Sequence, residues 1–100
     1  MTVKLLMTWD IIPGREQEYF EFVVRDFIPS MQGLGLEPSD AWLTMYGSQP
    51  QILTAAQMPT LSELERVLDS PEWQGLLNRL LDYVENYKHK IVQARAGFQM

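Results

Sequence analysis

The stretch VKLLMTWDIIPGREQEYFEFVVRDFIPSM, residues 3–31, decides the fold. In its first part Val3, Leu5, Met7, Trp9 and Ile11 recur at every second position, the period of a strand with one well-buried face. The opposite face, Lys4, Leu6, Thr8, Asp10 and Ile12, is mixed, so it should meet something other than plain core or plain water. Pro13-Gly14 then breaks the alternation with turn chemistry, and from Arg15 the period becomes helical, with Phe20, Val23, Val24, Phe27 and Met31 on one stripe. Arg15, Glu16, Glu18, Glu21, Arg25 and Asp26 take the solvated side. Pro29 disfavours a helical conformation for Ile28, so a kink is expected there, and Gly33 and Gly35 supply the stop.

Working outward, Pro38 suits the beginning or edge of a strand, and alternation resumes from Asp40. Ala41, Leu43 and Met45 share one face; Trp42, Thr44 and Tyr46 share the other. Gly47-Ser48-Gln49-Pro50 is a turn signal ahead of a second strand-like run, Gln51 to Met58, and a hairpin is the economical reading. Thr60-Leu61-Ser62-Glu63 has the spacing of a capping box, predicting a short helix to about Leu68. Ser70-Pro71-Glu72 is a second start signal: Ser70 as cap, Pro71 at the first helical position, Glu72 favourable against the helix dipole. Trp73, Leu76, Leu77, Leu80, Leu81 and Val84 follow on one stripe. Near Asn86 that pattern ends, and Lys88 to Phe98 returns to a period of two. Val92, Ala94, Ala96 and Phe98 lie on one face; His89, Ile91, Gln93 and Arg95 lie on the other.

The order is strand, helix, strand, strand, helix pair, strand. This is the ferredoxin-like βαββαβ arrangement, an α+β class with a four-stranded antiparallel sheet and its helices on one face. Crossover handedness puts the first and third strands centrally. The uncovered face would then carry Leu6, Trp42, Tyr46 and Ile91, too much apolar surface to leave wet on a small monomer. Burying them is worth roughly 1.5 to 3 kcal/mol each, enough to favour closure against a second sheet. A homodimer is expected.

One hundred residues, 46% of them hydrophobic, is the size of one domain with a real core. The net charge of −5 is modest and its acidic groups are scattered, so there is no electrostatic footprint for nucleic acid. With no cysteine there is no disulfide framework, thiol nucleophile or thiolate metal site, and the lone His89 excludes a multi-histidine site within one chain. No apolar run approaches the roughly 20 residues of a membrane helix, and no signal-peptide pattern opens the chain. A soluble, cytoplasmic protein is the default expectation.

The strand-Pro13-Gly14-helix opening, Phe27-Ile28-Pro29, the Ser70-Pro71-Glu72-Trp73 helix start and the passage from Asp82-Tyr83 to Val92 together resemble the dimeric α+β barrel superfamily. That group includes antibiotic-biosynthesis-monooxygenase-like, stress-responsive A/B-barrel and NIPSNAP-like proteins. The resemblance implies two ferredoxin-like subunits packed sheet against sheet. The activities it implies range from cofactor-free monooxygenase to lactone isomerase, with many members lacking one, so fold transfers and activity does not. The haem-degrading pattern, an asparagine on the first strand with a tryptophan and histidine at the last helix, is not matched: the only asparagines are Asn78 and Asn86.

His89 is the side chain whose ordinary pKa lies nearest neutrality, so a general base or proton shuttle would most simply use it; a strand-entry histidine at the sheet edge explains it as well. Asp10, Thr8 and Lys4 share the mixed face of the first strand, with Gln93 and Arg95 projecting similarly from its neighbour. An Asp10 to Arg95 ion pair would fix the dimer register without any substrate. Trp9, Trp42 and Tyr46 suit the wall of a pocket for a planar apolar ligand, and their spacing equally suits core and interface. No Gly-rich phosphate loop, serine nucleophile motif or paired-carboxylate motif is present.

Two functions follow as expectations. In the first, a homodimer holds a small apolar molecule, with Thr8, Trp9, Trp42 and Tyr46 contacting it. Any catalysis is then cofactor-independent, of the monooxygenase or isomerase kind, using His89, Tyr46, Asp10 or Arg95. In the second, the protein is a non-catalytic assembly module whose mixed sheet face exists only to make the dimer.

Overall fold

Val3, Leu5, Met7, Trp9 and Ile11 are all buried on one side of the first strand, β1 (Val3–Ile11), as their period requires. The computed structural model describes residues 2–43 and 52–93, the side chains of 40–43 excepted. After β1 come α1 (Glu16–Phe22), a π-helical turn (Val23–Phe27), α2 (Ile28–Gly33), β2 (Glu37–Leu43) and β3 (Ile52–Met58). Then follow α3 (Leu61–Leu68), α4 (Pro71–Leu80) and β4 (Val84–Gln93). The strands form one four-stranded antiparallel sheet in the order β2-β3-β1-β4, with the first and third strands central. Among the described residues this sheet is not closed, and β2 and β4 form its edges. Its inner face carries the core, in which Leu5, Met7 and Trp9 meet Phe22, Phe27 and Met31 from the first helical stretch and Leu64, Trp73 and Leu80 from the second.

Local chemistry sets the element ends. Gly14 has φ +90, and Arg15 N donates to the Ile12 carbonyl at 3.0 Å, a turn in which Pro13 sets the second position and only the third needs a left-handed residue. At the far end of α2, Gly35 takes φ +92 while its N–H reaches Gln32 O and that of Leu36 reaches Met31 O, the paired closure of a Schellman stop. Thr60 Oγ1 accepts from Glu63 N and Ser70 Oγ accepts from Trp73 N, each at 3.2 Å, so both expected caps are in place. Pro38 lies on the edge strand, the place in a sheet where proline is tolerated, next to an irregularity in the register between Pro38 and Asp40.

Three expectations are corrected. The stripe of the first helix is displaced: Phe20 is 48% and Val24 68% exposed, while Tyr19 and Phe22 are buried. The cause is the π-helical turn, which takes one residue more than an α-turn; counting back from Phe27, the buried positions fall at Phe22 and Tyr19 rather than at Val23 and Phe20. The turn also ends where Pro29 enters α2, so the chain accommodates the proline without ending the helix.

The last helix stops at Leu80, a turn earlier than its apolar stripe implies, leaving Leu81 42% exposed. Val84 belongs instead to β4, buried opposite Ile11.

Finally, Ile91 and Gln93 lie on the helix side of the sheet, opposite Leu5 and Val3, and not on the open face. Between Thr8 and Asp10 the ladder is irregular, with Asn86 at φ 60 as the extra residue of β4. With Val84 buried, that extra residue turns Tyr87, His89, Ile91 and Gln93 toward the helix side. The open face of the central strands is carried by Lys4, Leu6, Thr8 and Asp10 with their partners Leu53, Ala55 and Gln57.

Candidate functional site

Between the first helical stretch and the sheet lies a cavity of about 290 Å3. Trp9, Ile52 and Thr54 form its floor on β1 and β3, and Tyr19, Phe27 and Met31 its roof. Val23 and Ile28 complete the roof, while Pro38 and the exposed Ser39 of the edge strand mark its rim. The π-helical turn adds Tyr19 to the roof, since it carries Tyr19 and Phe22 inward in place of Phe20 and Val24, while Val23 and Phe27 face the same space. Such turns widen a helix locally, and they recur at functional sites for this reason.

Trp9 is the hub. Its indole is 2% exposed and meets Tyr19 edge-on at 6.5 Å and Phe27 at 6.0 Å and 89°, while Tyr87 of β4 stacks on it at 6.1 Å and 18°. Trp9 Nε1 donates to Tyr19 Oη at 3.0 Å. Burial raises the pKa of the Tyr19 phenol, and the hydrogen bond from Trp9 acts in the opposite, smaller sense. Tyr87 is raised as well, by burial alone.

Of the residues singled out in the sequence, Trp9 lines the cavity. Thr8 and Asp10 do not: they stand on the other side of β1, where Asp10 is 4% exposed and Asn86 Nδ2 donates to its Oδ2 at 2.9 Å. His89 is exposed on β4, its Nδ1 3.1 Å from Tyr87 Oη, and is not among the cavity residues. Trp42 pairs with Leu53 in the ladder, but its side chain lies outside the described residues, as do Tyr46 and Arg95 altogether. The ion pair expected between Asp10 and Arg95 therefore falls outside them too.

Tyr19, Met31 and Thr54 were not among the candidates. No local signal in the sequence marks Tyr19, because it turns inward with Phe22 only through the π-turn. Among the described residues no group of three or more metal-ligating side chains comes together, and no helix is long and apolar enough to cross a membrane.

No protein-family model and no curated protein matches the chain. Solved structures do. A NIPSNAP family protein from Agrobacterium tumefaciens superposes with a TM-score of 0.73 at 17% identity, over 97% of this chain and 96% of that one. A protein of the ethyl tert-butyl ether D (EthD) family from Bacillus halodurans gives 0.68 at 16% identity, over 95% and 100%. A dimeric protein of unknown function with a ferredoxin-like fold, from Bacteroides fragilis, gives 0.63 at 14%, over 93% and 96%. The fold is thus the ferredoxin-like one of these proteins, and the resemblance to NIPSNAP-like members of the α+β superfamily holds at that level.

Proposed function

We propose that this protein holds a small, largely apolar molecule in the cavity beneath its first helix and works as a homodimer joined through the open face of its sheet. The binding half is carried by one observation: a space of about 290 Å3, open to the surface and walled by Trp9, Tyr19 and Phe27, lies against the core. A concave apolar space with aromatic walls and a few polar groups is the form that small-molecule sites take, so an occupant of matching chemistry accounts for its lining. The dimer half is supported by the half-buried Leu6 and Leu53 on the open face and by the dimeric state of the Bacteroides fragilis protein with this fold.

The cofactor-independent monooxygenase or isomerase chemistry implied by the resemblance would need a proton acceptor at the ligand. His89, the imidazole of the chain, stands behind Tyr87 rather than in the cavity. The geometry therefore supports binding more strongly than catalysis. Native mass spectrometry of freshly isolated protein tests both halves: a dimer with a discrete small adduct is expected. A monomer would remove the dimer half. A bare protein that takes up no added aromatic hydrocarbon would remove the binding half.

A further inference from the structure

The cavity residues include only three with polar side-chain groups on aliphatic or phenolic carbon, Tyr19, Ser39 and Thr54, and no charged one among the described residues. Ser39 is exposed and Thr54 half-buried; Tyr19 is the buried one, 3% exposed. Its bond to Trp9 has a fixed direction, because an indole nitrogen only donates, so the phenol oxygen is the acceptor and its own proton is not spent there. Among the described residues the Tyr19 hydroxyl makes no second hydrogen bond. A buried donor left in that state costs free energy that a bound acceptor would recover. The arrangement is also rigid: Trp9 is held from behind by the Tyr87 stack, and the Trp9 N–H in turn holds the Tyr19 oxygen in place.

Resting on the binding reading above, we propose that Tyr19 is the polar anchor of the cavity, donating its phenolic O–H to an uncharged carbonyl oxygen on a ligand of one or two rings. The size follows from the volume, about twice the ~150 Å3 cavity that holds a benzene. The shape follows from the walls, since the edge-on and stacked rings around Trp9 favour a flat apolar body. The neutrality follows from the lining: a carboxylate would lose its hydration with no cation among the described cavity residues to replace it. Burial keeps the phenol protonated, so at neutral pH it remains a donor.

The test uses a matched set, 2-acetonaphthone, 2-ethylnaphthalene and 2-naphthoate, titrated calorimetrically into the intact protein and into Tyr19→Phe, with circular dichroism as the folding control. The expected result is that Tyr19→Phe weakens the ketone roughly three- to tenfold, the worth of one hydrogen bond, and leaves the hydrocarbon within about twofold. The naphthoate should bind weakest to the unmodified protein. Infrared spectroscopy supplies a reading that needs no variant, because the carbonyl stretch of bound 2-acetonaphthone should move below its frequency in cyclohexane. An unshifted carbonyl, or a variant that weakens ketone and hydrocarbon alike, overturns the Tyr19 anchor while leaving the cavity reading intact. Binding of neither neutral compound overturns both.

Discussion

Trp9 Nε1 donates to the Tyr19 hydroxyl at 3.0 Å, joining the central strand to the first helix across a sequence separation of ten. Both side chains are almost fully buried, so the bond is a positional constraint as well as a contact. Tyr19→Phe leaves the indole N–H buried without an acceptor and should cost about 1–3 kcal/mol. Urea denaturation of Tyr19→Phe, Trp9→Phe and the double variant should give a coupling near 1 kcal/mol. Additive losses would show that the two groups do not act together.

The displaced helix stripe separates two classes of apolar residue on one helix. Val24→Ser, at a residue 68% exposed, should change unfolding free energy by less than about 0.5 kcal/mol. Phe27→Ala, at 2% exposed, should cost about 3–5 kcal/mol through lost burial and the cavity it leaves. Equal losses at the two sites would argue against the π-helical turn.

Asn86 occupies φ 60 at the irregularity of β4 and donates to the buried Asp10. Asn86→Gly keeps the backbone conformation and loses the hydrogen bond; Asn86→Ala loses both. The predicted stability order is Asn, then Gly lower by about 0.5–1.5 kcal/mol, then Ala lower by a further ~1 kcal/mol. Thermal melts of the three proteins check the order, and an alanine variant as stable as the glycine one would refute it.

Burial raises both Tyr19 and Tyr87 above the ordinary tyrosine value of about 10. Below that value folded and unfolded chains both keep these protons, and the contribution to stability is fully present. As the pH rises past it the unfolded chain releases them first, so stability should fall. Urea midpoints measured from pH 7 to pH 11 should be level at first and then decline, and the decline should be shallower in Tyr19→Phe and Tyr87→Phe.

What was legible in the sequence was local. The β1 alternation, the Pro13-Gly14 turn and the Thr60 and Ser70 caps each depend on residues within a few positions of one another, and the structure has them where expected. The strand order followed because few topologies connect such elements without crossing. Single-residue insertions were not legible. The π-turn in the first helix and the extra residue at Asn86 each shift the phase of a periodic pattern, and periodicity alone cannot register a shift that tertiary packing imposes. Both shifts bear on the site. The first exchanges Phe20 for Tyr19 on the inner face, and the second sets Tyr87 behind Trp9 and takes Ile91 off the open face. Trp9 could be found from its strand alone; its partner could not.

Met31, in the roof of the space under the first helix, reports directly whether that space receives a small apolar molecule. Methyl-labelled methionine spectra, recorded while 2-ethylnaphthalene is added, should show the Met31 signal moving furthest and saturating, with Met7 and Met58, which are not among the cavity residues, moving little. A Met31 signal that stays fixed up to the solubility limit of the hydrocarbon, or that moves no more than that of Met58, would contradict the binding reading.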